Sequence, residues 1–201
     1  MNNAEIVLDG DSLTIEQVIS VSNFNTKVRL SDSSVSAIID SRNLVDDIVS
    51  SGEVVYGINT GFGALSNVTI PNDKLEDLQS NLIRSHACGL GEKMDPNSVL
   101  MMMIVRANSL AKGYSGARLE LIQLLVEMIN NRIVPIVPRI GSLGASGDLA
   151  PLSHMALAMM GESNSQVQTP DGEWITHNSN DALESFGLKP IKLQAKEGLS
   201  L

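Results

Sequence analysis

The sequence Gly141-Ser-Leu-Gly-Ala-Ser-Gly-Asp-Leu-Ala-Pro-Leu152 contains a tripeptide that can become an electrophile, Ala145-Ser146-Gly147. The amide nitrogen of Gly147 can attack the carbonyl carbon of Ala145 and close a five-membered ring with loss of one water. Loss of a second water from Ser146 leaves an exocyclic methylidene carbon. Ordinary side chains supply nucleophiles, acids and bases, so this carbon would add a reactivity that they lack.

The residues around the tripeptide suit this chemistry. Gly147 has no Cβ, so its nitrogen can approach closely. Asp148 as a candidate N-cap and Pro151 in the first turn predict a helix that begins directly afterwards. The positive end of that helix would favour negative charge on the oxygens of the ring. Taken alone, however, Ala-Ser-Gly is typical of a simple turn.

The longer run GSLGASGDLAPLSH (141–154) resembles the signature of the aromatic amino acid ammonia-lyases and aminomutases that depend on a methylidene-imidazolone (MIO). This resemblance implies a mainly α fold, the helical N-terminal domain of the fumarase/aspartase-like ammonia-lyase superfamily. It implies no added cofactor, because the MIO forms autocatalytically from Ala145, Ser146 and Gly147, with Asp148 in a supporting position.

A second motif, Val55-Tyr-Gly-Ile-Asn-Thr-Gly-Phe-Gly63, carries three glycines and is predicted to be a loop. Its Tyr56 could carry a proton over a site, or the stretch could be an ordinary surface loop. The glycine spacing does not match a phosphate-binding loop. The motif resembles the tyrosine loop of the same family, which implies that Tyr56 removes the β-proton of the substrate and that Gly63 supports the loop.

A third motif surrounds His86, near the end of a helix predicted from about Asp73. By itself such a histidine is typical of a partner for the helix dipole or of a surface group. The resemblance implies that Ser85 and His86 line the pocket for the aromatic ring of the substrate. A polar pocket favours histidine or tyrosine over phenylalanine. Within the family the sequence looks most like the histidine ammonia-lyases, with tyrosine aminomutases or tyrosine ammonia-lyases as the alternative.

The resemblance runs from about Ile6 to Leu201, and Lys196–Leu201 looks like the start of a further helix. Residues 1–201 are therefore expected to form a single N-terminal MIO-bearing domain. In the family, a long helical bundle that follows completes the active site and builds a homotetramer. We expect the 201 residues alone to have little or no activity. The alternative from another class is a non-catalytic helical interaction module.

Composition narrows the function classes. The net charge is -9 without a basic stripe, which disfavours nucleic-acid binding. No apolar run reaches the roughly 18 to 20 residues that cross a bilayer, so no membrane association is expected. The single cysteine, Cys88, is typical of a reducing cytoplasm, and histidines and carboxylates show no metal-ligand spacing. The expected partner is a small aromatic amino acid substrate, bound by a cytoplasmic homo-oligomer.

Helix signals recur along the chain. A capping box at Thr14 and Gln17 predicts a first helix, and Gly52 is predicted to end the second. Pro170-Asp-Gly172 predicts the turn of a small hairpin or surface excursion within 163–180. This second helix is predicted at 33–51, and further helices are predicted at 96–112, 118–131, 149–160 and 181–186.

Overall fold

The structure is a computed structural model that describes residues 5–141 and 149–201. Ala145, Ser146, Gly147 and Asp148 lie outside the described residues, so what the sequence predicts for them stays a prediction. The mainly helical fold expected from the sequence is confirmed. The described helices are α1 (Ile15–Phe24), α2 (Asp32–Ser51), α3 (Leu75–His86), α4 (Pro96–Ala111), α5 (Leu119–Asn130), α6 (Ala150–Met159), α7 (Ser179–Ser185) and α8 (Glu197–Ser200).

Helix α1 begins with the capping box that the sequence predicted. The Thr14 Oγ1 accepts a hydrogen bond from the Gln17 amide at 3.3 Å, and the Gln17 side chain accepts one from the Thr14 amide at 2.9 Å. These two bonds satisfy amides that the helix itself leaves unpaired. Gly52 ends α2 in the left-handed conformation, at φ 74°.

Helices α4 and α5 form the centre of the hydrophobic core. Both are apolar over most of their circumference, because other elements cover them on several sides. Met103, from the methionine run of α4, is fully buried. The fully buried large side chains of these two helices are Leu100, Met103, Ile104, Leu121, Ile122, Leu125, Met128 and Ile129.

Short strands join the helices at the edges of this core. They are β1 (Ile6–Leu8), β2 (Val28–Leu30), β3 (Leu90–Lys93), β4 (Ile133–Pro135), β5 (Pro138–Ile140), β6 (Asn164–Gln168) and β7 (Trp174–Asn178). Strand β1 pairs with β2 in parallel, and β3 pairs with β5 antiparallel. Strand β5 ends at Ile140, directly before the glycine-rich run that begins at Gly141.

The predicted hairpin is confirmed as β6 and β7, with Gly172 at φ 89° in its turn. It is more than a surface excursion, however. Strand β6 also pairs with β4, and its Ser165 and Gln166 are buried. The polar sequence concealed this burial, because Ser165 reaches the hydroxyl of Ser179 at 2.8 Å instead of water. Within residues 5–141 and 149–201, no helix is both long enough and apolar enough to cross a membrane.

Candidate functional site

A cleft of about 470 Å³ opens between the loop that follows α2, the last turns of α3, and helices α4, α6 and α8. This volume is in the range of small-molecule sites, about 300 to 1,000 Å³. Its walls are largely apolar, with a few polar groups. It is lined by Tyr56, Phe62, Gly63, Leu82, Ile83, His86, Arg106, Leu149, Leu152, Ser153, Gly198, Leu199 and Leu201. The structure thus brings Tyr56, Gly63 and His86 together, although 30 residues separate the tyrosine from the histidine.

Tyr56 projects from a loop whose neighbouring residues are fixed by partly buried hydrogen bonds. The Asn59 Oδ1 accepts from the Val55 amide at 2.9 Å, and its Nδ2 donates to the Glu53 carbonyl at 2.7 Å. Tyr56 is 60% exposed, and its ring makes an edge-to-face contact with Phe62, with ring centroids 6.4 Å apart. The loop therefore presents the phenol at the mouth of the cleft.

The glycines of this loop allow a close approach to α8. Gly57 has φ 78°, and a Cβ built there would lie 2.6 Å from Cδ2 of Leu199. Any larger residue would need both a strained backbone and a displaced Leu199. Gly63, at φ 55°, begins a 3-10 turn and lines the cleft. Its supporting role stays a prediction.

The sequence predicted His86 near the end of a helix, and it is the last residue of α3. Its Nδ1 lies 2.9 Å from the Leu82 carbonyl oxygen, which can only accept, so Nδ1 carries the proton. In the neutral ring, Nε2 is then an acceptor. Ser85 is exposed. Its hydroxyl donates to the same carbonyl at 2.8 Å and lies 3.0 Å from Nδ1, so it supports the orientation of the His86 ring.

Arg106 lines the cleft and was not predicted as a site residue. It lies on α4, and its guanidinium donates to the carbonyl of Ser200 in α8. Burial lowers the pKa of this guanidinium, but an arginine remains charged at neutral pH. Only the fold could reveal this, because Arg106 is 20 residues from His86 and 94 from Ser200. Among the described residues, no group of histidine, cysteine and acidic side chains could hold a metal ion.

His154 joins α6 to the segment that follows His86. Its Nε2 accepts a hydrogen bond from the Gly89 amide at 3.1 Å, and the ring is half-buried. His154 was not predicted as a site residue, and this contact gives it a structural role. Because α6 follows the tripeptide in sequence and α3 ends at His86, this bond ties together two walls of the cleft.

We expect His154 to make stability depend on pH. Burial lowers the pKa of its imidazole, so the unfolded chain takes up the proton first as the pH falls. Its contribution is present above the usual pKa of about 6.5 and is lost as the pH falls toward the lowered value. Protonation also removes the acceptor for Gly89. Urea unfolding between about pH 7 and pH 5 should therefore show a shallower loss of stability in His154→Gln than in the unmodified protein.

The matched control is His177→Gln, because His177 is exposed on β7. It controls for the general effect of replacing a histidine by a glutamine. Equal slopes for His154→Gln and the unmodified protein would contradict the prediction.

Comparison with known proteins identifies the family. The model for the aromatic amino acid lyases matches residues 13–201. Histidine ammonia-lyase of Staphylococcus aureus is 48% identical over 196 residues, which are 98% of this chain and 38% of that protein. The chain therefore spans about 38% of the length of the curated relatives it matches.

Solved structures agree. Histidine ammonia-lyase from Trypanosoma cruzi superimposes with a TM-score of 0.87 at 40% identity, over 98% of this chain and 37% of that one. The ergothioneine-degrading enzyme ergothionase from Treponema denticola gives a TM-score of 0.90 at 32% identity, over 98% of this chain and 38% of that one. Because both the family model and these structures cover nearly all of its residues, the chain belongs to the aromatic amino acid lyase family.

Proposed function

We propose that this chain forms part of a carbon–nitrogen lyase that converts L-histidine to urocanate and ammonia. The observation that carries the proposal is the arrangement of one cleft, in which Tyr56 faces the site from its loop and His86 lines the wall. Leu149, the second residue after Gly147, lines the same cleft.

The described residues fit an MIO formed from Ala145, Ser146 and Gly147. Helix α6 begins at Ala150, and its N-terminus carries partial positive charge at the edge of the cleft. When formed, this ring supplies an electrophilic carbon for the amine of the substrate. Leu149 and Leu152 give the cleft an apolar lining near the start of α6.

Tyr56 is proposed to act as the general base that removes the β-proton. A phenol at the mouth of the cleft can meet the substrate from the open side while its loop stays anchored by Asn59. Loss of the β-proton and of the amine leaves an α,β-unsaturated acid and ammonia.

His86 is proposed to select the ring of the substrate. With its proton on Nδ1, the neutral ring offers Nε2 as an acceptor, and an imidazole N–H can donate to it. A phenyl ring offers no such donor and would leave the acceptor unpaired. A phenol could also donate, so a tyrosine aminomutase or tyrosine ammonia-lyase is the alternative. The similarity to histidine ammonia-lyases favours histidine.

We propose a homotetramer in the cytoplasm for the complete enzyme. The single cysteine, Cys88, is free and exposed, which suits a reducing compartment. We propose residues 1–201 as one domain that carries the ring-forming tripeptide. Since the relatives are much longer, this domain alone is proposed to have little or no activity.

Two measurements test the proposal, on residues 1–201 and on the full polypeptide that contains them. Intact-mass spectrometry should show a deficit of two waters when the ring forms, and Ser146→Ala should lack it, because it has no hydroxyl to lose. Ultraviolet absorbance should then show that the full polypeptide forms urocanate from L-histidine and no aromatic acrylate from L-tyrosine or L-phenylalanine, whereas residues 1–201 alone should form little or no urocanate. Turnover of tyrosine alone would favour the alternative substrate. Absence of both ring and turnover, with a defined oligomer, would indicate the interaction module instead.

A further inference from the structure

Helix α8 is short, yet buried polar groups hold it in place. Glu197 has no exposed surface, and its carboxylate accepts from the Nε and Nη2 of Arg118 at 2.8 Å each. It also accepts from the amides of Arg118 at 3.0 Å and of Gln194 at 2.7 Å. The beginning of α8 is therefore fixed against the N-terminus of α5 by charge-assisted hydrogen bonds.

Gln79 on α3 fixes the next residues of α8. It is fully buried, and its Oε1 accepts from the Gly198 amide at 2.9 Å and from the Leu199 amide at 3.3 Å. Gly198 makes this approach close, because a Cβ there would lie 2.8 Å from the Gln79 carbonyl oxygen. The Gln79 Nε2 has no hydrogen-bond partner in the part of the chain that the structure describes. The side chain thus contributes through its oxygen.

Leu199 connects α8 to the loop that carries Tyr56. Its Cδ2 packs against Gly57, at the place where any Cβ would stand 2.6 Å away. Gly57 is the residue directly after Tyr56 and has no side chain to take up a displacement. A shift of the Leu199 backbone is therefore passed to the loop that presents the phenol.

We infer that Gln79 is a positioning residue for Tyr56, acting through Leu199 and Gly57. This inference rests on the proposed function for the role of Tyr56 as a base. Gln79 and His86 are seven residues apart on α3, so both lie on nearly the same face of that helix. Helix α3 thereby carries His86 on the wall of the cleft and, through Gln79 and α8, also positions the loop that carries Tyr56.

Hydrogen–deuterium exchange in the full polypeptide tests the coupling without any need for activity. Gln79→Met keeps the length of the side chain and removes the acceptor for two amides. We expect roughly tenfold faster exchange in residues 197–200 and also in residues 55–63. The matched control is Gln123→Met, the same change at an exposed position on α5, which should alter neither segment.

Leu199→Ala isolates the second link, and because Leu199 is 44% exposed, the variant should still fold. It should speed exchange in residues 55–63 while residues 197–200 stay protected. If Gln79→Met speeds exchange only in residues 197–200, or if Leu199→Ala leaves residues 55–63 unchanged, the coupling does not exist and the inference is wrong.

A kinetic isotope effect separates positioning from a loss of folded enzyme. With L-histidine deuterated at the β-carbon, both variants should lower kcat roughly tenfold and raise the primary isotope effect, because a displaced base slows proton transfer. A smaller folded fraction lowers the rate without changing the isotope effect. An unchanged isotope effect in both variants overturns the inference. Absence of turnover in the unmodified enzyme would instead count against the proposed function, and the exchange measurement would still decide the coupling.

Discussion

Glu197→Gln is expected to lower the free energy of unfolding by about 3 kcal/mol, because it removes one partner from a buried ion pair. Glu197 has no exposed side-chain surface, and Arg118 is 22% exposed. The hydrogen bonds that Arg118 donates to Glu197 raise the pKa of the Arg118 guanidinium, which stays charged after the change. The glutamine side chain would also place an NH₂ group, itself a donor, where the Arg118 guanidinium and the backbone amides now donate to a carboxylate oxygen. The arginine would then be left without its full counter-charge in a largely buried place.

Urea unfolding of the purified protein measures this loss. The matched control is Glu162→Gln, which makes the same chemical change in the pair with Arg84, where the side chains are 51% and 37% exposed. That exposed pair should contribute no more than about 1 kcal/mol. If the urea midpoint shifts by a similar amount in the two variants, the buried carboxylate of Glu197 stabilises the fold no more than the exposed one of Glu162, and the prediction is wrong.

Local signals in the sequence predicted most of the helices. The capping box of Thr14 and Gln17, and Gly52 at φ 74°, each place a helix end through contacts within a few residues. Such signals depend on neighbouring backbone groups, so they can be read without the tertiary structure. The paired strands β1 and β2 have only three residues each, too few to show the alternation of apolar and polar residues that indicates a strand. Helix α1 also separates them in the sequence, so no short hairpin signal marks their pairing.

The network around α8 could not be predicted in this way. Glu197 and Arg118 are 79 residues apart, and Gln79 and Gly198 are 119 apart. Their residue types are ordinary on a surface, and only the fold shows that they are buried and paired. The same holds for Arg106 on α4, which lines the cleft and whose guanidinium donates to the Ser200 carbonyl of α8.

The sequence predicted the candidate site only in part. Composition and spacing could indicate that Tyr56 sits on a glycine-rich loop and that His86 ends a helix, yet neither pattern says that they meet. The resemblance to the lyases linked them, and the structure places both on one cleft. The tautomer of His86 could not be predicted from the sequence. It depends on the Leu82 carbonyl oxygen, which lies 2.9 Å from Nδ1, and the sequence alone gives no such distance.

Tyr56→Phe is expected to lower kcat for L-histidine by roughly a hundredfold to ten-thousandfold, the usual contribution of a general base. The change removes one hydroxyl and keeps the ring, so the edge contact with Phe62 remains. Cyclisation of Ala145-Ser146-Gly147 joins backbone atoms of the tripeptide and removes the Ser146 hydroxyl, so it needs no atom of Tyr56. The variant should therefore still show the mass deficit of two waters while it fails to turn over substrate.

The second tyrosine of the chain supplies the control. Tyr114 is 87% exposed and lies outside the cleft lining, so Tyr114→Phe should keep normal activity. A Tyr56→Phe enzyme that retains activity within a few-fold of Tyr114→Phe would show that another group removes the β-proton. A Tyr56→Phe enzyme without the mass deficit would show that the phenol takes part in forming the electrophile. Loss of turnover with the deficit intact is the result that assigns proton removal to Tyr56, because the electrophile and the fold are then both present and only the base is missing.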